Sequence, residues 1–195
     1  MRPRVFKEFE KICSARKAGG STLEIGAEPN DDSLLNLRCL RNAKEKIGIS
    51  LEGPFEYKDF SIIKGNANEM SCFGDDKFDT VLCHGMLEHD KFFWKTIAEI
   101  KRVTKPGGLV VIGTPGYTRT WLEKLNPFFR KCRLIDRYLD FLTSSTVTYE
   151  IHNAPGDYYR FSPQAFKEVF FEGMRDVEIH SIMLPPRIIG SGIAL

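Results

Sequence analysis

The chain has 195 residues, 42% of them apolar, and a net charge of +2. That is enough for one α/β domain with a buried core, too little for two, and too nearly neutral to point to nucleic acid as a partner. No run of about eighteen apolar residues predicts a membrane span, and the charged N-terminus, MRPRVFKEFEKICSARK, does not read as a secretory signal. Five cysteines, none in C-x-x-C spacing, predict reduced thiols in the cytoplasm, with no metal site and no disulfide framework.

Val5, Phe6, Phe9, Ile12 and Cys13 recur at helical spacing and predict a first helix that stops at Gly19-Gly20. Thr22 to Ile25 is a short apolar strand with an acid, Glu24, inside it, and it runs into Gly26. Leu34, Leu35, Leu37 and Leu40 predict a second helix, capped by Asp32 or Ser33 and basic in its last turn. Strand, tight turn and helix make the first half of a nucleotide-type βαβ unit. The turn departs from the usual chemistry, because Ala27, Glu28, Pro29, Asn30, Asp31 and Asp32 follow Gly26. A G-x-G-x-x-G loop lets a pyrophosphate approach the backbone, and three acids with a proline do not. They suit a ligand that has no phosphate and carries some positive charge.

Lys46 to Leu51 is the second predicted strand, closed by Glu52, and Phe60 to Lys64 is the third, followed by Gly65-Asn66-Ala67. Thr80 to Cys83 is a brief apolar fourth strand, and His84-Gly85-Met86-Leu87-Glu88-His89 leaves it. Asp90 to Val103 predicts a helix with Phe93, Ile97, Ile100 and Val103 on one side, and Leu109 to Ile112 a fifth strand. This alternation predicts a parallel sheet covered on both faces.

Tyr117 to Glu150 breaks the rhythm. Arg119, Lys124, Arg130, Lys131, Arg133 and Arg137 interleave with Trp121, Phe128, Phe129, Tyr138 and Phe141. The pattern predicts amphipathic helices that serve as a lid over an acceptor, as a dimer face or scaffold, or as a peripheral membrane contact. Ile151 to Phe161 is a polar-aromatic loop. Ser162-Pro163 starts a helix that buries Phe166, Val169 and Phe170 and ends at Gly173, and Val177 to Leu184 and Ile188 to Leu195 are late strands.

These landmarks fall in a telling order: LEIG at the first strand, an acid closing the second, GNA after the third, then FDTVLCHGMLEH and IAEIKRVTKPGGLVVIGTPG. Together they resemble the class I S-adenosylmethionine-dependent methyltransferases, in particular the small type-11 group. The similarity runs from about Thr22 to Gly116, with the tail helix and strand also in place. HNAPGDYYRFSPQAF looks like a segment found in a subset often associated with cell-envelope saccharides.

The resemblance implies a Rossmann-like three-layer α/β/α sandwich spanning residues 1–195 as one domain. Its sheet is mostly parallel and seven-stranded, with an antiparallel last strand and the 117–150 segment as a helical insertion. It implies S-adenosyl-L-methionine as cofactor and methyl transfer to a small or saccharide-type acceptor, at oxygen. Glu24, Gly26, Ala27, Glu52, Asn66, Ala67, Cys83 and His84 are then the cofactor-binding candidates. Glu24 either orders the loop and helps to hold the methionine amine, or only ties down loop amides. Glu52 suits the two ribose hydroxyls, and Asn66 with Ala67 stands beside the adenine. His84 meets the methionine end through backbone or ring. His89, His152 and Asp157 are the candidate bases, and Tyr158, Tyr159 and Arg160 the candidate acceptor contacts. The rival readings are a non-catalytic domain on the same fold, kept for binding or dimerisation, and a nicotinamide oxidoreductase, which the missing glycines disfavour.

Overall fold

A computed structural model describes residues 2–119, 146–148, 156–183 and 186–195. Helix α1 (Pro3–Ala15) turns Val5, Phe9, Ile12 and Cys13 inward. Strand β1 (Ser21–Ile25) is buried along its whole length. It pairs in parallel with β2 (Glu45–Ser50) on one side and β5 (Phe78–His84) on the other. β4 (Phe60–Lys64) extends the sheet beyond β2, and β6 (Thr104–Pro115) extends it beyond β5, both in parallel. β10 (Pro186–Ile193) runs antiparallel to β6, and β9 (Arg175–Met183) lies antiparallel on its outer side.

The sheet has eight strands rather than the expected seven. The extra one, β3 (Phe55–Tyr57), folds back antiparallel on β4 and closes the sheet at that edge. Only residues 51–59 separate β2 from β4. A parallel crossover through a helix needs about a dozen residues or more, so this link has room for a hairpin strand and not for a helix.

Side chains alternate across the sheet and build a core on each face. Leu23, Ile25, Val81, Cys83, Val110 and Ile112 pack under Ile97, Ile100 and Val103 of α2 (Phe93–Val103) and under Phe166 and Phe170. Leu82, Leu109 and Val111 point the other way, to α1 and to Leu34, Leu37 and Leu40. This is the three-layer arrangement implied by the sequence.

Two predicted helices take other forms. The second is a pair of 3₁₀ turns, Leu34–Asn36 and Arg38–Leu40, with Leu37 extended between them. Leu34, Leu37 and Leu40 recur every three residues, which is the 3₁₀ period, and all three are buried. The tail helix, α3 (residues 163–170), starts as foreseen with Ser162 Oγ accepting from Ala165 N and Pro163 in its first turn. It then widens into a π-helical turn, Phe166–Phe170. The wider turn leaves Val169 43% exposed and buries Phe171 in its place. A short strand pair, β7 (Thr118–Arg119) with β8 (Thr146–Val147), brackets the 117–150 insertion. The expected lid helices lie outside the described residues. Among the described residues, no helix is long and apolar enough to cross a membrane.

Candidate functional site

The chain runs β1, β2, β4 toward one edge, then returns to the other side of β1 as β5. A crevice opens at the carboxyl ends of strands where an open α/β sheet reverses order in this way. Here it is a cleft of about 560 Å³, a volume in the range of small-molecule sites. Four loops line it: Gly26 to Pro29 after β1, Leu51 and Glu52 after β2, Gly65 to Asn68 after β4, and Gly85 to Phe92 after β5. Pro29 and Glu28 form part of its wall without filling it. Leu51, Phe55, Met86 and Phe92 give it apolar sides.

Gly26 turns the chain out of β1 with φ at +76°, and a Cβ there would stand 3.0 Å from that of Met86. Both facts call for glycine. Ala27 packs so closely on Gly48 that a Cβ on the latter would lie 2.5 Å from its own. Glu24 points away from the cleft. Its carboxylate accepts from Ser33 Oγ at 2.5 Å and from Leu34 N at 3.0 Å. Burial raises its pKa to about 7, and the hydrogen bonds from Ser33, Leu34 and Leu35 hold it from going higher. These contacts tie Glu24 to the loop that follows β1.

Glu52 lines the cleft two residues beyond the end of β2 and is exposed to solvent. Asn66 and Ala67 line the opposite wall. Asn66 Oδ1 accepts from Asn68 N at 2.9 Å in a local turn. Sequence reasoning passed over Asn68 and Asp90, which join the loops after β4 and β5. Asn68 Nδ2 donates to Asp90 Oδ2 at 2.8 Å, and Asp90 also accepts from Thr96 Oγ1 and Phe92 N. An acid just before a helix was the available signal for Asp90.

Cys83 and His84 do not line the cleft. The Cys83 thiol is fully buried in the core, and that burial pushes its pKa up. The His84 ring packs edge-on against Phe9 at 5.2 Å, on the α1 side of the sheet. Burial, with Arg187 nearby, lowers its pKa to about 3, so the ring is neutral. Any part either residue takes in binding runs through the backbone.

His89 does line the cleft. Its Nδ1 meets the Gly156 carbonyl, and its Nε2 lies 4.0 Å from Glu88 Oε1. A carbonyl only accepts, so Nδ1 carries the hydrogen of that contact. Glu88 is 1% exposed, with Arg187 Nη1 at 3.5 Å from Oε1. Burial raises its pKa, and Arg187 and His89 pull it back. Its backbone carbonyl receives Tyr158 N at 2.8 Å and Tyr159 N at 3.3 Å. The 156–160 segment is thus sewn to the turn after β5. No local pattern marks Arg187, because it reaches Glu88 from the far end of the chain.

Within that segment, Asp157 and Arg160 form a two-pronged ion pair with their side chains at 0% and 8% exposure. Tyr159 packs on Phe93 and Phe161 and donates to the Lys91 carbonyl at 3.1 Å. Tyr158 is 55% exposed. His152 lies outside the described residues. Of the three candidate bases, His89 is the one that the described structure brings to the cleft. Among the described residues no group of three His, Cys, Asp or Glu side chains is placed to hold a metal ion.

With this geometry in place, comparison with known proteins is informative. Residues 31–112 match the type-11 methyltransferase domain family. A S-adenosylmethionine-dependent methyltransferase from Archaeoglobus fulgidus superposes with a TM-score of 0.65 at 16% identity, covering 99% of this chain and 94% of that one. A putative methyltransferase from Bacillus halodurans gives 0.62 at 11% identity, with 96% and 97% covered. The N-methyltransferase NodS from Bradyrhizobium japonicum, solved with S-adenosyl-L-homocysteine, gives 0.60 at 11%, with 98% and 86% covered. No curated protein matches the sequence. The chain has the fold of the class I S-adenosylmethionine-dependent methyltransferases. Its 31–112 segment carries the methyltransferase-domain pattern, as the ordered motifs implied.

Proposed function

We propose that the chain binds S-adenosyl-L-methionine in the cleft after β1, β2, β4 and β5 and transfers its methyl group to a small-molecule acceptor, a saccharide-type hydroxyl being the acceptor that the sequence suggests. The observation that carries this reading is the cleft itself. Its four loops are those that a nucleoside would meet at the switch point, and its lining offers a group to each part of such a ligand. Glu52 offers two oxygens to the ribose hydroxyls. Leu51 and Phe92 are apolar walls for the base, and Asn66 offers an amide to its edge. NodS and the phosphoethanolamine N-methyltransferase of Haemonchus contortus were both solved with S-adenosylhomocysteine, which supports the same ligand here.

The cofactor supplies a methyl already activated by its sulfonium, so the protein's task is to hold the nucleophile in line and to take its proton. His89, which lines the cleft, is the residue we assign to the second task. Its Nδ1 is fixed on the Gly156 carbonyl, and a proton taken at Nε2 lies beside the Glu88 carboxylate. Asp157 is bound by Arg160, so it serves to shape the 156–160 segment.

A second reading is a non-catalytic domain of the same fold, and the loop with a single glycine at 26 favours it. Isothermal titration with S-adenosylmethionine and S-adenosylhomocysteine separates the two. Micromolar to sub-millimolar binding supports the enzyme, and silence at millimolar ligand supports the inert domain. A crystal soak with S-adenosylhomocysteine then shows the cavity facing the sulfur, where the acceptor docks.

A further inference from the structure

The loop after β1 is better suited to meet a cation than an anion. Loops of this position in nucleotide folds bind anions with free backbone N–H groups at a helix start. Here most of those donors are already committed. Gly26 N and Ala27 N both donate to the Ile49 carbonyl, at 2.9 and 3.3 Å. Asn30 N donates to Glu28 O at 2.8 Å, Asp32 N to Asn30 Oδ1 at 2.9 Å, and Ser33 N to Asn30 O at 3.3 Å. Leu34 N is held by the buried Glu24 carboxyl group. Pro29 has no N–H to give.

The loop's side chains divide in the same sense. Asp31 turns outward, where Tyr57 Oη donates to it at 3.0 Å and Lys58 pairs with it. Asp32 lines a separate groove against α1. Glu28 alone of the three faces the cleft, with Asn30 Nδ2 on its Oε2 at 2.8 Å. Among the described lining residues, three carboxylates, Glu28, Glu52 and Asp90, stand against the single ammonium of Lys91. Asp90 is held by Asn68, Thr96 and the Phe92 amide in the loop after β5, and Glu28 supplies the carboxylate at the β1 side of the cleft.

We infer that Glu28 makes the cleft selective for the net charge of its nucleoside, so that the cationic sulfonium cofactor binds more tightly than its neutral thioether product. The inference rests on the cofactor reading above and adds the residue that sets its charge preference. Its consequence is product release: once the methyl leaves, the ligand's net charge falls from +1 to zero, and the attraction that held it weakens.

The test is titration calorimetry of the purified chain with S-adenosylmethionine, with sinefungin, whose amine carries the charge in place of the sulfonium, and with S-adenosylhomocysteine. The two cations are expected to bind about three- to fivefold more tightly than the thioether at low salt, the scale of an exposed charge pair. Glu28→Gln is expected to remove most of that ratio, and Glu28→Lys to invert it. About 1 M salt, where the Debye length is about 3 Å, should flatten it in the parent chain. Equal or tighter binding of the thioether overturns the inference while leaving the cofactor reading intact, as does a ratio that Glu28→Gln leaves unchanged. Absence of binding by all three ligands overturns both.

Discussion

The Ser33 hydroxyl donates to the buried Glu24 carboxylate across 2.5 Å, and the same hydroxyl accepts from Leu35 N at 3.2 Å. This contact fixes the start of the 3₁₀ turn to the middle of the central strand. It has a consequence for stability against pH. The Glu24 pKa, raised to about 7 in the fold, stands above an unfolded value of about 4.3. Its contribution is therefore full below about pH 4, falls as pH rises, and is gone above about pH 7. Glu24→Gln should flatten the dependence of Tm on pH across that window. Glu24→Ala, measured at pH 5 by denaturant unfolding, should cost about 2 kcal/mol, because it strands the Leu34 amide and the Ser33 hydroxyl. A wild-type Tm that rises from pH 5 to pH 7 as steeply as that of Glu24→Gln would refute the assignment.

Gly26 sits at positive φ and against Met86. Gly26→Ala should lose about 1–2 kcal/mol of stability, the cost of a left-handed non-glycine residue, and weaken ligand binding by moving the cleft wall. Chemical denaturation and calorimetry on the same variant read the two effects.

Glu52 is exposed, so its replacement should leave folding alone and strike binding. Glu52→Ala is expected to weaken S-adenosylmethionine by about tenfold or more, the scale of lost charge-assisted hydrogen bonds. Unchanged affinity in a folded variant removes the ribose assignment.

The Asp157–Arg160 pair is buried on both sides. Removing only the cation takes away the two-pronged partner of a buried carboxylate, so Arg160→Met should cost about 3–5 kcal/mol. Asp157→Asn combined with Arg160→Met should recover much of that loss. A non-additive double-mutant cycle in thermal melts is the expected signature.

The π-helical turn of α3 makes a sharp contrast between neighbours. Phe171 is 1% exposed and Val169 is 43% exposed. Phe171→Ala should cost about 3–5 kcal/mol and Val169→Ser less than about 0.5 kcal/mol. Continuous α-helical packing would reverse the order, since it is Val169 that the sequence spacing turns inward.

What the sequence determined by itself was the order of strands and the loops that matter. Apolar runs bounded by glycine and proline mark β1, β2, β4, β5 and β6, and chain order alone puts Gly26, Glu52, Asn66 and His89 at strand ends. These signals are local, because a buried parallel strand must be apolar along its length and its exit loop must not be. The tertiary structure decided the rest. Whether Leu34 to Leu40 wind as an α-helix or as 3₁₀ turns depends on which faces of the core receive them. Whether Glu24 meets a ligand or Ser33 depends on which side of the sheet it projects to. Glu28 and Asp31 are three residues apart, yet one faces the cleft and the other faces Lys58 of the β3–β4 hairpin. Glu88 and Arg187 meet only because β10 returns beside β6. Periodicity reports how a segment folds, and it carries no information about which distant charge will face it once the sheet is assembled.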